Sequence, residues 1–122
     1  MNGFDLDGVI SIGLYPGKDD IIITGRSYEE SEETIKYLER KGIHNEIFFN
    51  KVKFDEKTRK NSALHKVNIL KKYSINTFFE DDEIQYGTIK GKMKKDINLV
   101  LISHDNLINK DNVRRDEFGK EI

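Results

Sequence analysis

The sequence predicts a single α/β domain in which a parallel five-stranded sheet is covered by helices. Apolar runs too short to be helices alternate with amphipathic stretches that are long enough, the pattern of a helix-covered sheet. Several of the short runs, Ile21-Ile22-Ile23 most plainly, are almost continuously apolar, as strands buried on both faces must be. With 122 residues there is room for one such domain over positions 1–122, burying about two thirds of the surface the unfolded chain exposes.

The elements follow in order. Candidate strands are Gly3–Leu6, Asp20–Thr24, Glu46–Phe49, Thr77–Glu80 and Asn98–Ile102. Ser27 has the chemistry of an N-cap, Glu30 stands where a capping box needs it, and Gly42 after Arg40 and Lys41 stops the helix between them. Glu29, Glu30, Glu32 and Glu33 fall in its first turns, favoured by the positive end of the helix dipole. A second helix is predicted from Asn61 or Ser62 to Tyr73, with Ala63, Val67 and Leu70 at helical spacing. Asn50 to Lys60 reads as a polar connection, and the charged stretch after His104 as irregular.

Composition narrows the function classes. Hydrophobic residues make up 36% and charged residues 35%, polar for a globular chain but sufficient for a core. Lys and Arg number 21 against 22 Asp and Glu, so net charge gives no reason to expect a nucleic-acid or membrane partner. Positions 51–72 are locally basic, eight cationic side chains against Asp55 and Glu56, or +8 − 2 = +6. Such a run is ordinarily a solvated face. With no cysteine there are no disulfides, thiolate metal sites or thiol nucleophiles, in keeping with a reducing compartment. No apolar run approaches a membrane span or a signal peptide, and a cytoplasmic location is expected.

Chemistry is suggested first by Phe4-Asp5-Leu6-Asp7-Gly8. In extended chain a spacing of two sends Asp5 and Asp7 to one side, and Gly8 lets the backbone turn out of the sheet. Carboxylates held together repel, and a divalent cation with oxygen ligands relieves the repulsion. An isolated D-x-D is common, however, and is equally compatible with a solvated pair. Ile23-Thr24-Gly25-Arg26 ends an apolar strand at a capped helix, which puts Thr24 and the helix amides where a phosphate is bound, unless it is an ordinary N-cap turn. Phe79-Glu80-Asp81-Asp82 ends another apolar strand in acids. Sites in open parallel sheets form at the carboxyl ends of strands, so Asp5, Asp7, Thr24, Asp81 and Asp82 are placed to converge. Lys66 can reach that crevice, although a surface role is the default for one lysine among so many. His44, His65 and His104 lack metal-ligand spacing and read as structural or surface residues, while Tyr15 and Pro16 either line the entrance or close a turn.

Taken together, DLDG at 5–8, ITGR at 23–26, the helical Lys66 and EDD at 80–82 resemble the motif series of the haloacid dehalogenase superfamily. The resemblance spans Phe4 to Ile102 and implies a Rossmann-like three-layer fold with strand order 3-2-1-4-5. The chain lacks an insertion large enough for a cap domain, and the stretch after Gly8 is short for the usual hairpin flap and following helix. The resemblance implies a Mg2+-dependent phosphomonoesterase with Asp5 as the nucleophile that becomes an aspartyl phosphate and Asp7 as the general acid. Thr24 would hold a phosphoryl oxygen, Lys66 would stabilise the charged intermediate, and Gly25 and Arg26 would contact substrate. Asp5, Asp7 through its carbonyl, and Asp81 or Asp82 would hold Mg2+. The T-G-R triplet is similar to that of polynucleotide 3'-phosphatases, although the acid some of them carry four residues before the lysine is Ser62 here. The expected partner is therefore a nucleotide or other small phosphate ester, or a nucleic-acid 3'-phosphate end guided by the basic run. A catalytically quiet phosphate- or metal-binding module acting through a partner is the alternative. A response-regulator receiver domain would need a different motif order.

Overall fold

A computed structural model describes residues 1–93 and 96–103. The five strands are β1 (Gly3–Phe4), β2 (Ile21–Ser27), β3 (Ile47–Asn50), β4 (Thr77–Glu80) and β5 (Asn98–Leu101). All neighbours run parallel, in the order β3-β2-β1-β4-β5. The helices are α1 (Ser31–Arg40), α2 (Arg59–Lys72) and α3 (Glu83–Lys92), with single 3-10 turns at Ile10–Ile12, Tyr28–Glu30 and Phe54–Glu56.

Alternation along the strands sorts the core into two layers. Ile21, Ile23 and Phe78 pack with Ala63, Val67 and Leu70 of α2 and Ile89 of α3 on one face. Phe4 and Ile22 pack with Leu6, Val9, Ile10, Leu38 of α1 and Ile43 on the other, where Phe4 stacks on Phe79 at 4.7 Å. The result is helix–sheet–helix layering, with the carboxyl ends of all five strands along one edge.

Both ends of the first predicted helix form as its residues dictate. Glu30 Oε2 accepts the Ser27 amide at 2.8 Å and Ser27 Oγ accepts the Glu29 amide at 3.1 Å, although the first turn is 3-10 rather than α. At the other end Gly42 adopts φ +72°, with Ile43 N bonded to Leu38 O and Gly42 N to Glu39 O, a Schellman closure.

Other expectations need correction. Helix α2 starts two or three residues earlier than predicted because Thr58 is its cap, and Asn61 sits inside the first turn as the reciprocal partner. Helix α3 was not anticipated: Gly87 and Gly91 weaken its sequence signal, and its cap, Asp82, reads as one of a cluster of acids. Strand β1 ends at Phe4, not Leu6, because the chain is already turning at Leu6–Val9. His104 and the stretch after it lie outside the described residues. Among the described residues no helix is long and apolar enough to cross a membrane.

Candidate active site

Three strand ends, those of β1, β2 and β4, and one helix build the site. Asp5 directly follows β1 and is fixed there by its own amide, which donates to Phe79 O of β4 at 3.1 Å. Counting in twos from Gly3 and from Phe78 puts Asp5 and Glu80 on the sheet face that α2 covers. There they meet Lys66, which projects from the middle of α2 and is 1% exposed, not the solvated lysine expected by default. Its Nζ lies 2.7 Å from Glu80 Oε1 and 3.3 Å from Asp5 Oδ1. Asp81 completes the floor: Asp5, Glu80 and Asp81 each offer an oxygen within 4.8 Å of the others.

Gly8 is indispensable to this closure. It has φ +82°, and a Cβ at that position would fall 2.0 Å from Asp81 Oδ2, so any side chain would push the acid out of place.

Electrostatics at the floor are unbalanced. Three carboxylates and one ammonium sum to −3 + 1 = −2 when all are ionised. Burial, and then the neighbouring Glu80 charge, push the Asp5 carboxyl well above the usual carboxylate range, with Lys66 opposing. The same causes in the same order raise Asp81 to about 7. Asp5 Oδ1 accepts the Leu6 amide at 2.9 Å, whereas Asp5 Oδ2 is buried and no amide or hydroxyl reaches it. An excess of two negative charges, hard oxygen donors and one buried oxygen without a donor fit a divalent metal ion held by Asp5, Glu80 and Asp81.

The side chains of Asp7, whose expected contribution to the metal is its backbone carbonyl, and of Asp82 lie outside this cluster. The chain turns from Leu6, so the period of two no longer holds Asp7 beside Asp5, and the Asp7 carboxylate is buried with a partner of its own. Both its oxygens are taken by Arg26, through Nε at 2.9 Å and Nη2 at 2.8 Å. Asp82 caps α3 by accepting the Ile84 amide at 3.0 Å, and its other oxygen accepts from Arg59 Nε and Gln85 Nε2, each at 3.1 Å.

Thr24 is fully buried and its Oγ1 accepts the Arg26 amide at 3.1 Å, so the hydroxyl shapes the Thr24-Gly25-Arg26 corner. Gly25 is buried between them. His65 Nε2 lies 3.1 Å from Phe48 O, and burial holds its pKa below the ordinary value. Tyr15 does not line the entrance. Its ring lies beneath Lys41, just past the end of α1, and Asn45 Nδ2 donates to Gly17 O and Asp20 O, which anchors the loop at the opposite edge of the sheet.

Glu80 is the residue that sequence reasoning missed. In the sequence it ends an apolar strand, and its phase with Phe78 is a usable signal, since an acid sharing a face with a core aromatic needs a buried cation, hydrogen-bond donors or a proton. Its Oε2 also accepts the amides of Asp81 and Asp82 at 3.0 and 3.2 Å, which holds the turn that presents Asp81. No family model, curated protein or solved structure matches this chain.

Proposed function

We propose that the chain is a Mg2+-dependent phosphomonoesterase of the haloacid dehalogenase type, acting on nucleotides or other small phosphate esters or on nucleic-acid 3'-phosphate ends. The observation that carries this reading is the buried floor of Asp5, Glu80 and Asp81 around Lys66, with its formal charge of −2 and its donorless Asp5 oxygen.

Asp5 attacks phosphorus, the bond from phosphorus to the leaving oxygen breaks, and Asp7 supplies the proton that the departing alcohol needs. Water then cleaves the aspartyl phosphate with Asp7 taking its proton, which returns Asp5 as a carboxylate and releases inorganic phosphate. Lys66 and the Leu6 amide fix one Asp5 oxygen and so leave the carboxylate a single orientation. A hard divalent cation on Asp5, Glu80 and Asp81 would neutralise charge on the phosphoryl oxygens. Thr24 and Gly25 shape the corner that receives the phosphate, with Arg26 as its cationic contact.

The test is phosphate release from a generic aryl phosphate and from a panel of nucleotides, sugar phosphates and 3'-phosphorylated oligonucleotides, with Mg2+ and with chelator. An Asp5→Asn variant as active as the parent sinks the assignment.

One observation favours a second reading, a phosphate- or metal-binding module without turnover. Asp7 and Arg26 are closed on each other, and the loop after Gly8 is anchored away from the crevice. Mg2+ raising the melting temperature while no ester on the panel is hydrolysed would decide for it.

A further inference from the structure

Arg26 is held from two sides by partners of different character. Its Nη1 donates at 3.0 Å to Thr34 Oγ1, a hydroxyl on the first turn of α1 that is fully buried. Its Nε and Nη2 form the bidentate fork on Asp7, and the side chain is 17% exposed. The fork is the edge of a guanidinium that matches two oxygens of a carboxylate or of a phosphate equally well, and it serves one such anion at a time. The Thr34 bond uses a different nitrogen and survives an exchange of anions on the fork.

We propose that Thr34 is a positioning residue that keeps the Arg26 fork aimed at the site, and that the phosphoryl group of a substrate binds by displacing Asp7 from that fork. The proposal rests on the phosphatase reading for the identity of the incoming anion. In the free protein the Asp7–Arg26 contact makes inorganic phosphate a weak ligand, because each phosphate that enters must first break a two-bond ion pair.

The test measures binding of inorganic phosphate to the full chain by titration calorimetry in the presence of Mg2+. Asp7→Asn, which removes the competing anion, should bind phosphate about ten- to a hundred-fold more tightly than the parent, the range expected for charge-assisted hydrogen bonds released to a ligand. Glu33→Gln is the control, since this exposed acid acts on Arg26 through its charge alone, and it should change the affinity by no more than about two-fold. Thr34→Val should weaken phosphate binding several-fold, with Thr34→Ser, which keeps the hydroxyl, restoring it. The proposal is overturned if Asp7→Asn binds no tighter than the parent or if Glu33→Gln gains as much. Should Asp7→Asn fail to fold, the two Thr34 variants decide, and equal affinity in the valine and serine forms overturns it. Hydrolysis by the parent without tightening in Asp7→Asn removes the exchange and leaves the phosphatase reading intact. Tightening in Asp7→Asn without hydrolysis by the parent does the reverse.

Discussion

Two buried lysines in this chain are held in opposite ways. Lys57 Nζ lies 2.7 Å from Glu30 Oε2 and 4.1 Å from the Phe54 ring centroid, and the Lys57 and Glu30 side chains are 5% and 7% exposed. Lys57 is paired with Glu30 there, and the same Glu30 oxygen accepts the Ser27 amide that closes the capping box before α1. Lys66 instead stands among three carboxylates. The first group is complete: it ties the Val52–Lys57 loop to the start of α1, with Ser27 Oγ donating to Val52 O and the Phe54 amide donating to Glu29. The second is incomplete, since neutrality requires protons on its acids or a cation from outside. A buried pair in balance stabilises a fold, whereas a buried group out of balance costs stability that only a ligand or protonation returns.

Removing one acid from each group tests this contrast most strongly. Asp5→Asn should lower phosphate release at least about a thousand-fold, ~4 kcal/mol of barrier. In the absence of metal it should also raise the melting temperature, by about 4 °C or more for each ~1 kcal/mol of repulsion relieved. A metal-free Asp5→Asn protein that melts below the parent removes the claim that the floor is overcharged. At the balanced pair the sign reverses. Lys57→Met leaves Glu30 buried without its cation and should cost about 3 kcal/mol in denaturant unfolding, while adding Glu30→Gln returns part of the loss. Neither change should alter the shift in melting temperature that Mg2+ produces. A changed metal response in Lys57→Met means that the two groups are not independent.

Dependence on pH sharpens the same difference. Asp81 is raised to about 7 in the folded chain and Asp5 well above the ordinary carboxylate value, so the folded state binds more protons than the unfolded one above that ordinary value, for Asp81 up to about 7. Without metal, stability should therefore fall as pH rises through that window, by at most about 1.4 kcal/mol per pH unit for each acid titrating. A divalent cation binds only the ionised acids, so its stabilising effect should grow over the same range. Thermal melts at pH 5, 6, 7 and 8, with Mg2+ and with chelator, measure both trends, and a constant gap between the two series contradicts the metal reading.

Much of this was legible in the sequence because it depends on local chemistry. Ile21-Ile22-Ile23 can be satisfied only by burial on both faces, and Ser27, Glu30 and Gly42 carry the geometry of helix ends in their own side chains or in the lack of one. What stayed hidden depends on phase and on tertiary partners. Asp7 was placed beside Asp5 because the strand was taken to run to Leu6, and the turn at Leu6–Val9 breaks the alternation on which that placement stood. Glu80 escaped because only the pairing of β4 under α2 shows that it faces a lysine fourteen residues earlier in the chain. The α3 helix was obscured by its two glycines, and with it the role of Asp82 as a cap.

The smallest expected effect concerns Asp82. Its ion pair with Arg59, whose side chain is 43% exposed, is a surface interaction, so Arg59→Ala should change stability by less than about 1 kcal/mol. Asp82→Asn keeps an N-cap oxygen for the Ile84 amide and should cost about as little, whereas Asp82→Ala loses the cap and about 1 kcal/mol. None of the three should change the stabilisation by Mg2+, because Asp82 lies outside the cluster of Asp5, Glu80 and Asp81. Asp81→Asn should abolish most of it, since Asp81 stands within the cluster of oxygens while being its most accessible member. The comparison works because the two acids are adjacent in sequence and equal in charge, and only Asp81 stands within the cluster of oxygens. If Asp82→Asn lost the metal response and Asp81→Asn kept it, the cation would belong at the head of α3, and Glu80 would serve only to pair Lys66.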